Sequence, residues 1–307
     1  MNKHFLALAP EVQWAVEEGK PIVALESTVI SHGLPYPDNL DVTNKMLAAI
    51  KAKGAIPAVI GLINGNIKIG LSAEEIELFA TAKEVLKISR ADISACVAQR
   101  HLGATTVAGT MFCAALAGIR VFATGGIGGV HRGAETSFDI SADLTEFAKT
   151  PVLVVCSGAK SILDVPKTLE FLETQGVPII GYQTDYLPLF YIEKSKYHLN
   201  LSVDSAENTA QIAKVHWSLG LNGILIVNPI PTQDSLIAKD INGFIQQATN
   251  ECLEKNICGK EVTPYILARL SELSHGKTLQ ANKVLLINNA ATAGEIAVAL
   301  GTSHNAP

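Results

Sequence analysis

The chain has 307 residues, of which 48% are hydrophobic and 17% charged, and its formal net charge is −5. This composition provides ample apolar material for a folded core and excludes an intrinsically disordered chain. The negative balance offers no basic surface for nucleic acid and no polybasic patch for anionic lipid, although one local site is enough to bind a small phosphorylated ligand. The first 20 residues carry Glu11, Glu17 and Glu18 and lack the apolar segment of a signal peptide.

Cysteine usage and hydropathy point to a soluble cytoplasmic protein. The five cysteines form no C-x-x-C pair, which in a chain of this length is typical of reduced core thiols; they are Cys96, Cys113, Cys156, Cys252 and Cys258. Residues 102–119 carry no charge over a length that raises the question of a membrane span. Their richness in Ala, Gly and Thr favours a buried helix instead.

Short apolar runs alternate with amphipathic segments along the chain. The runs predict strands at residues 22–25, 56–60, 85–88, 119–123, 152–156, 178–182 and 223–227. Helices are predicted at 39–53, at 72–83 behind a Ser72–Glu75 capping box, at 105–117, from 161 onward and at 204–219. The C-terminal third is mainly helical, with Thr263 and Pro264 as cap and first residue of one helix. This alternation predicts one α/β domain over residues 1–307, with three α/β/α layers and a mainly parallel central sheet.

Polar side chains lie at the ends of four predicted strands. Glu26 follows the first strand, and Lys87 ends the third. Thr124 follows the fourth strand, and Lys160 lies four residues beyond the fifth. Ligands of open α/β sheets bind at the carboxyl ends of the strands, so we expect these four side chains to meet at one rim.

Two of these residues suit covalent chemistry. A carboxylate that directly follows a buried strand is partly desolvated, which raises its pKa and would let Glu26 deliver a proton; a helix-capping or salt-bridged glutamate is the alternative. Lys160 follows a Ser157–Gly158 turn just before a predicted helix. The positive potential of a helix N-terminus and desolvation would both lower its pKa and provide the neutral amine that Schiff-base chemistry needs. A solvated surface lysine is the ordinary alternative.

The loop at residues 124–135 is rich in glycine, which would let its backbone approach a phosphate or a sugar closely. Its spacing matches neither the dinucleotide-binding fingerprint nor a Walker loop. His131 and Arg132 could pair with phosphate oxygens, and a tight turn with surface charges is the alternative.

Asp139 and Asp143 lie four residues apart around a predicted helix cap at Ser141. Carboxylates suit a hard divalent cation such as Mg²⁺ or Mn²⁺, and free N–H groups at a helix start suit an anion. An ordinary acidic N-terminal cap is the alternative. The other histidines show no zinc-binding spacing.

Several long motifs together resemble the pseudouridine-5'-phosphate glycosidases, in that family's order and nearly its spacing. They are ESTVISHGLPYPDN (26–39), KISRAD (87–92), GATTVAGTM (103–111), TGGIGGVHRGAE (124–135), DISADL (139–144) and CSGAKSILD (156–164). The resemblance covers essentially the whole chain, including GYQTDYLPLFY (181–191) and NNAATA (288–293). One departure is YLPLF (186–190), where the family pattern has an acidic residue and an aromatic one before the proline.

The resemblance implies an α/β/α fold, a homotrimer and reversible cleavage of the C–C bond between uracil and ribose 5-phosphate. By motif, Glu26 corresponds to the proton donor, Lys160 to the covalent nucleophile and Asp139 to the ligand of one Mn²⁺ ion. The implied substrate-binding set is Lys87, Val107, Thr124, His131, Ser141, Ala142, Asp143 and Asn282. Two other functions stay open: an aldolase-like lyase that forms a Schiff base with another sugar phosphate, and a non-enzymatic sugar-phosphate sensor.

Overall fold

A computed structural model describes residues 4–255, 257 and 262–302. Within them, one sheet has the strand order β1–β4–β3–β2–β7–β8–β11–β9–β10, and β5 and β6 join it through β3. Neighbours are parallel except where β3 meets β4 and β6. The strands are β1 (Leu6–Leu8), β2 (Ile22–Glu26), β3 (Ile56–Ile63), β4 (Asn66–Ile69), β5 (Leu86–Ile88), β6 (Gly103–Thr105), β7 (Val121–Ala123), β8 (Leu153–Cys156), β9 (Ile179–Tyr182), β10 (Ser202–Val203) and β11 (Ile224–Val227).

Helices flank this sheet. The long α12 packs on α2, α9 and strands β2, β7 and β8, whereas α5 packs on β2, β3 and β7. The helices are α1 (Pro10–Glu17), α2 (Asp38–Ala52), α3 (Ala73–Thr81), α4 (Ile93–Ala98), α5 (Val107–Leu116), α6 (Ala134–Ser137), α7 (Ala142–Phe147), α8 (Val165–Thr174), α9 (Ala206–Ser218), α10 (Ala238–Glu254), α11 (Val262–Leu273) and α12 (Lys277–Thr302). The predicted α/β class with a mainly parallel sheet is confirmed.

All seven predicted strands are present. Most are apolar runs buried on both faces, whereas β5 is exposed at Leu86 and half-buried at Lys87. In β8 and β11 every residue is buried. Strands β1, β4, β6 and β10 were not predicted. Strand β6 lies inside the stretch that was expected to be one buried helix, and it pairs with β3 and β5 before α5 begins. Its three residues carry too little pattern to reveal a strand whose partners are far away in sequence.

The helix predicted from residue 161 begins later, at Val165. The Asp164 side chain accepts a hydrogen bond from the Lys167 N–H at 3.2 Å and so caps the helix there. Pro166 lies in its first turn, where a proline is tolerated because it has no N–H to satisfy. By contrast, the Ser72–Glu75 capping box is confirmed at the start of α3.

The described helix α12 is long and apolar enough to cross a membrane by length and composition, over Lys277–Gly301. Of its apolar window, 56% is buried against other elements, as in the core helix of a soluble protein. The four cysteines within the described residues are buried and free, as predicted. Cys258 lies outside the described residues.

Candidate active site

The four polar side chains expected at one rim do meet there. Strands β2, β7 and β8 are adjacent and parallel, so their carboxyl ends bring Glu26, Thr124 and Lys160 together. Lys87 arrives by a different route. It lies in the middle of β5, which is parallel to β6 and therefore antiparallel to β3, and the carboxyl-end rule does not apply to it.

The cleft at this rim has two connected parts, which we call the inner and outer chambers. The inner chamber encloses about 470 Å³ and the outer one about 970 Å³, including their openings to solvent. Glu26, Thr28, Lys87, Lys160 and Thr263 line both. Thr124 and Asn282 line the inner chamber, and the outer one is lined by Val107, His131, Asp139, Ser141, Ala142 and Asp143. Every residue of the predicted site therefore lines this cleft.

Glu26 is a buried acid that lines both chambers, with 6% of its surface exposed. It ends β2, and its side chain accepts a hydrogen bond from the Thr124 hydroxyl. Burial raises the pKa of Glu26 above its ordinary value, and Asp143 acts in the same direction, while Lys160, Thr124 and Lys87 oppose them. A carboxyl group with a raised pKa keeps its proton closer to neutral pH, as a proton donor requires.

Lys160 is held by the loops that follow β7 and β8. Its N–H donates to the Ile127 carbonyl at 3.0 Å, and the Ile127 N–H donates to the Gly158 carbonyl at 3.1 Å. Gly158 has φ +86°, and a Cβ there would lie 2.3 Å from the Pro188 carbonyl oxygen, so this turn requires glycine. Helix α8 begins only at Val165, so the prediction that Lys160 lies at a helix N-terminus is wrong. The turn at Gly158 determines the position of Lys160 instead.

The glycines of the loop at 124–135 make room for protein groups. A Cβ on Gly126 would lie 2.6 Å from the Phe190 ring, and a Cβ on Gly129 would lie 2.5 Å from Thr168 Oγ1. These contacts require small residues at Gly126 and Gly129. Gly125, Gly126 and Gly128 also line the cleft, and the predicted close approach of the loop to a ligand stays a prediction. His131 lines the outer chamber, but Arg132 lines a neighbouring cavity and does not join it there.

Asp143 braces the outer chamber. Its Oδ1 accepts from the Ala108 N–H at 2.9 Å, and its Oδ2 accepts from the Gly128 N–H at 2.8 Å. The residue is 5% exposed and ties the start of α5 to the glycine-rich loop and to α7. Since backbone donors already use both of its oxygens, Asp143 is poorly suited to share a metal ion with Asp139.

Asp139 is the carboxylate that could hold a divalent cation. Its side chain is 47% exposed, and its Oδ2 lies 3.9 Å from His131 Nδ1. Burial lowers the pKa of His131, as do Lys160 and Lys87, while Asp139 opposes them. No cluster of three or more acidic, His or Cys side chains suited to a metal occurs among the described residues. One carboxylate beside an imidazole fits an ion that retains most of its water ligands, as small hard cations do.

Sequence reasoning missed several residues that line the cleft. Ser89 and Thr106 belong to the outer chamber, and Phe190 to the inner one. Most of the missed residues lie within motifs already singled out and could have been included on that basis: Thr28, His32, Ser89, Thr106 and Phe190. Thr263 reaches the cleft from α11 and carried no such signal.

Comparison with known proteins identifies the family. Residues 11–299 match the family model described as indigoidine synthase A like protein. Pseudouridine-5'-phosphate glycosidase of Geobacillus kaustophilus is 54% identical over 294 residues, which span 95% of this chain and 98% of the relative. Two solved structures share the fold over nearly their whole length.

One is the prealnumycin C-glycosynthase AlnA in complex with ribulose 5-phosphate, with a TM-score of 0.91, 39% identity and 99% of each chain covered. The other is an indigoidine synthase A-like protein from Thermotoga maritima, with a TM-score of 0.89, 35% identity, and coverage of 98% of this chain and 99% of that one. The family model and the relative from Geobacillus kaustophilus both match nearly the whole chain. This chain belongs to the indigoidine synthase A-like family and, within it, to the pseudouridine-5'-phosphate glycosidase enzymes.

Proposed function

We propose that this protein reversibly cleaves the C–C glycosidic bond of pseudouridine 5'-phosphate to give uracil and D-ribose 5-phosphate. The observation that carries the proposal is that a buried acid, Glu26, and an amine, Lys160, line the same enclosed chamber from the ends of nearby parallel strands. The relative from Geobacillus kaustophilus is named for this activity. A C–C bond has no leaving nitrogen or oxygen to protonate, so its cleavage needs both an acid for carbon and a source of electrons.

In the proposed mechanism, the Lys160 amine attacks C1′, the C1′–O4′ bond breaks, and the ring oxygen takes up the proton that the amine releases. Glu26 then protonates uracil C5. As the C1′–C5 bond breaks, its electrons restore the C5–C6 double bond of uracil, and the lysine nitrogen forms a protonated imine with C1′. Water hydrolyses this imine, which releases ribose 5-phosphate, restores the neutral amine and returns a proton to Glu26.

The two chambers suggest how the substrate lies. We assign the sugar phosphate to the outer chamber, where Lys87 and the first backbone N–H groups of α5 supply positive charge and His131 can donate a hydrogen bond. Val107, Ser141, Ala142 and Asp143 would shape this part of the site. The base then faces the inner chamber beside Asn282 and Phe190, so that C1′ lies between Lys160 and Glu26. Fixing the phosphate would supply binding energy that orients the reacting carbon.

We further propose that Asp139 holds one divalent cation, for which Mn²⁺ is the expected ion. When bound, the ion would supply positive charge beside the sugar-phosphate side of the cleft. The family resemblance also supports a homotrimer, and the soluble α/β fold fits a cytoplasmic enzyme.

The direct test is to incubate the protein with uracil and ribose 5-phosphate, with and without Mn²⁺, and to follow a new C-nucleotide by absorbance and mass. Lys160→Ala is the matched inactive control. Turnover of another sugar phosphate without a C-nucleotide product would favour the aldolase-like lyase. Binding of ribose 5-phosphate without any turnover would favour the sensor.

A further inference from the structure

The Thr124 hydroxyl is directed at Glu26. Thr124 is 1% exposed, and its Oγ1 donates a hydrogen bond to Glu26 Oε1. A hydroxyl group has one hydrogen to donate. Thr124 also lines the inner chamber rather than the outer one, where the phosphate is assigned. The Thr124 hydroxyl therefore faces Glu26 rather than the part of the cleft to which we assign the sugar phosphate.

We propose that Thr124 is a positioning residue whose hydroxyl orients the Glu26 carboxyl group so that Oε2 carries the acidic proton, and that Asn289 in turn holds Thr124 in place. The inference rests on the proposed function, in which Glu26 is the proton donor. A protonated carboxyl group has one oxygen that donates and one that only accepts. A donor fixed at Oε1 therefore leaves the proton on Oε2.

Pairing with neighbouring strands holds the main chains of both Glu26 and Thr124 in place. Glu26 is paired across from Ile60 of β3 at the end of β2. The Thr124 N–H donates to the Val155 carbonyl at 3.0 Å, which extends the pairing of β7 with β8. The Thr124 carbonyl accepts from Asn289 Nδ2 at 2.9 Å. The two residues therefore meet with little freedom in their main chains.

Asn289 is fully buried on α12. The Thr124 carbonyl oxygen can only accept, so the Asn289 atom that faces it must be the donor Nδ2, and Oδ1 on the other side accepts from Asn228 Nδ2 at 3.0 Å. The same Nδ2 lies 3.1 Å from Ser157 Oγ, which ties in the loop before Lys160. One amide thus links the loops that carry Thr124 and Lys160 to β11 and α12.

Asn289 also lies on the helix face that reaches the cleft. Asn282, which lines the inner chamber, precedes it by seven residues, close to two helical turns. One face of α12 therefore carries both Asn282, which lines the inner chamber, and Asn289, which holds the loop of Thr124. Asn288, its neighbour, instead donates to the Pro229 carbonyl at 3.0 Å, away from Thr124.

Kinetics of Thr124→Val and Thr124→Ser test the proposal. Valine keeps the shape and removes the hydroxyl, so we expect kcat for pseudouridine 5'-phosphate cleavage to fall about 10- to 100-fold, with KM nearly unchanged. This is the usual scale for a lost hydrogen bond to a charged group, here the carboxylate that forms as Glu26 gives up its proton. Serine restores the donor and should recover most of this loss. A large rise in KM with unchanged kcat would mean that Thr124 binds phosphate, and the proposal would be overturned.

A second measurement does not need turnover. Infrared difference spectra against Glu26→Gln report protonation of the Glu26 carboxyl group itself. Removing the Thr124 hydroxyl, which favours the ionised form, should move this protonation to higher pH, while Lys160, Lys87 and Asp143 still face the group. An unmoved titration would refute the positioning role. If the wild type cleaves no substrate yet the shift is seen, the proposed function fails and the contact between Thr124 and Glu26 stands.

Asn289→Ala with Asn288→Ala as matched control tests the supporting step. Both remove a buried or half-buried amide from the same helix, but only Asn289 contacts Thr124. We expect a shifted Glu26 titration and lower kcat in the Asn289 variant alone. Equal effects in both variants would mean that Asn289 has a structural role only, and its proposed support of Thr124 would be refuted. If Asn289→Ala does not fold, Asn289→Asp, which keeps the acceptor and loses the donor, takes its place.

Discussion

Gly128 and Ser141 touch so closely that a Cβ on Gly128 would lie 2.2 Å from Ser141 Oγ and 2.7 Å from Asp143 Oδ2. Ser141 caps α7, and Asp143 joins that helix to α5. The outer chamber thus depends on Gly128, because a residue without a side chain lets Ser141 and Asp143 pack closely against the glycine-rich loop.

Gly128→Ala should therefore displace Ser141 and Asp143. We expect KM for the sugar phosphate to rise at least tenfold and the free energy of unfolding to fall by about 1–3 kcal/mol, as overpacking usually costs. Gly243→Ala is the control, since Gly243 lies inside α10 with no atom within 4 Å of a new Cβ. That variant should be neutral or slightly more stable. An unchanged KM in Gly128→Ala would show that the brace is not needed for binding.

The convergence of the cleft could be predicted because it depends on a general property of parallel sheets. Glu26, Thr124 and Lys160 follow apolar runs that any reader of the sequence can find. Lys87 lies at the same rim because β5 pairs with β6, and β6 pairs with β3. The sequence of such short strands does not indicate a pairing with residues so far away along the chain. The expectation was correct for Lys87, but its reason was not.

Glu26→Gln should separate activity from stability. Removing the proton donor is expected to slow C–C cleavage by about 10²–10⁴-fold with little change in substrate binding. The pKa of Glu26 is raised by burial, so the folded state disfavours ionisation, and stability is lost as pH rises above the ordinary glutamate range. The neutral glutamine does not suffer this loss.

The variant should therefore melt at a higher temperature than the wild type at pH 8, and the difference should disappear near pH 4. Thermal melts across this range, with exposed Glu77→Gln as control, measure it. A Gln variant that is less stable than the wild type at pH 8 would mean that the ionised carboxyl group makes a favourable contact in the folded protein, contrary to this prediction.

Asp139→Asn should weaken metal binding and leave the fold intact, because the side chain is half-exposed. With one carboxylate available, affinity should be modest, so a chelator should silence the enzyme and Mn²⁺ should restore it. Titration of Mn²⁺ by electron paramagnetic resonance gives a readout apart from turnover, and exposed Asp240→Asn serves as control. Full activity in excess chelator, or Mn²⁺ binding that is equal in both variants, would contradict the assignment.

The hydrogen-bond network behind the cleft could not be predicted from the sequence. Asn289 contacts Asn228 and Thr124, which are 61 and 165 residues away along the chain. No periodicity or motif spacing connects positions so far apart. The sequence therefore indicated that Thr124 lies at the site, but not that its hydroxyl is committed to Glu26.

Trapping with borohydride decides between a covalent and an electrostatic role for Lys160. Loss of activity in Lys160→Ala would fit either a nucleophile or a lysine that clamps phosphate, so mutation alone does not separate them. Open-chain ribose 5-phosphate presents an aldehyde, which condenses with a neutral amine to an imine that borohydride reduces permanently. We expect irreversible inactivation and one added mass of the reduced pentose phosphate per chain.

Peptide mapping should place that mass on Lys160 in the segment CSGAKSILD. Lys87 provides an internal control, because it lines the same two chambers and would meet the same aldehyde if proximity were sufficient. Lys160 follows a turn that Gly158 and the Ile127 hydrogen bonds hold in one conformation, which fixes where its amine approaches C1′. A label on Lys87, or full activity after reduction without any label, would show that Lys160 is not the nucleophile.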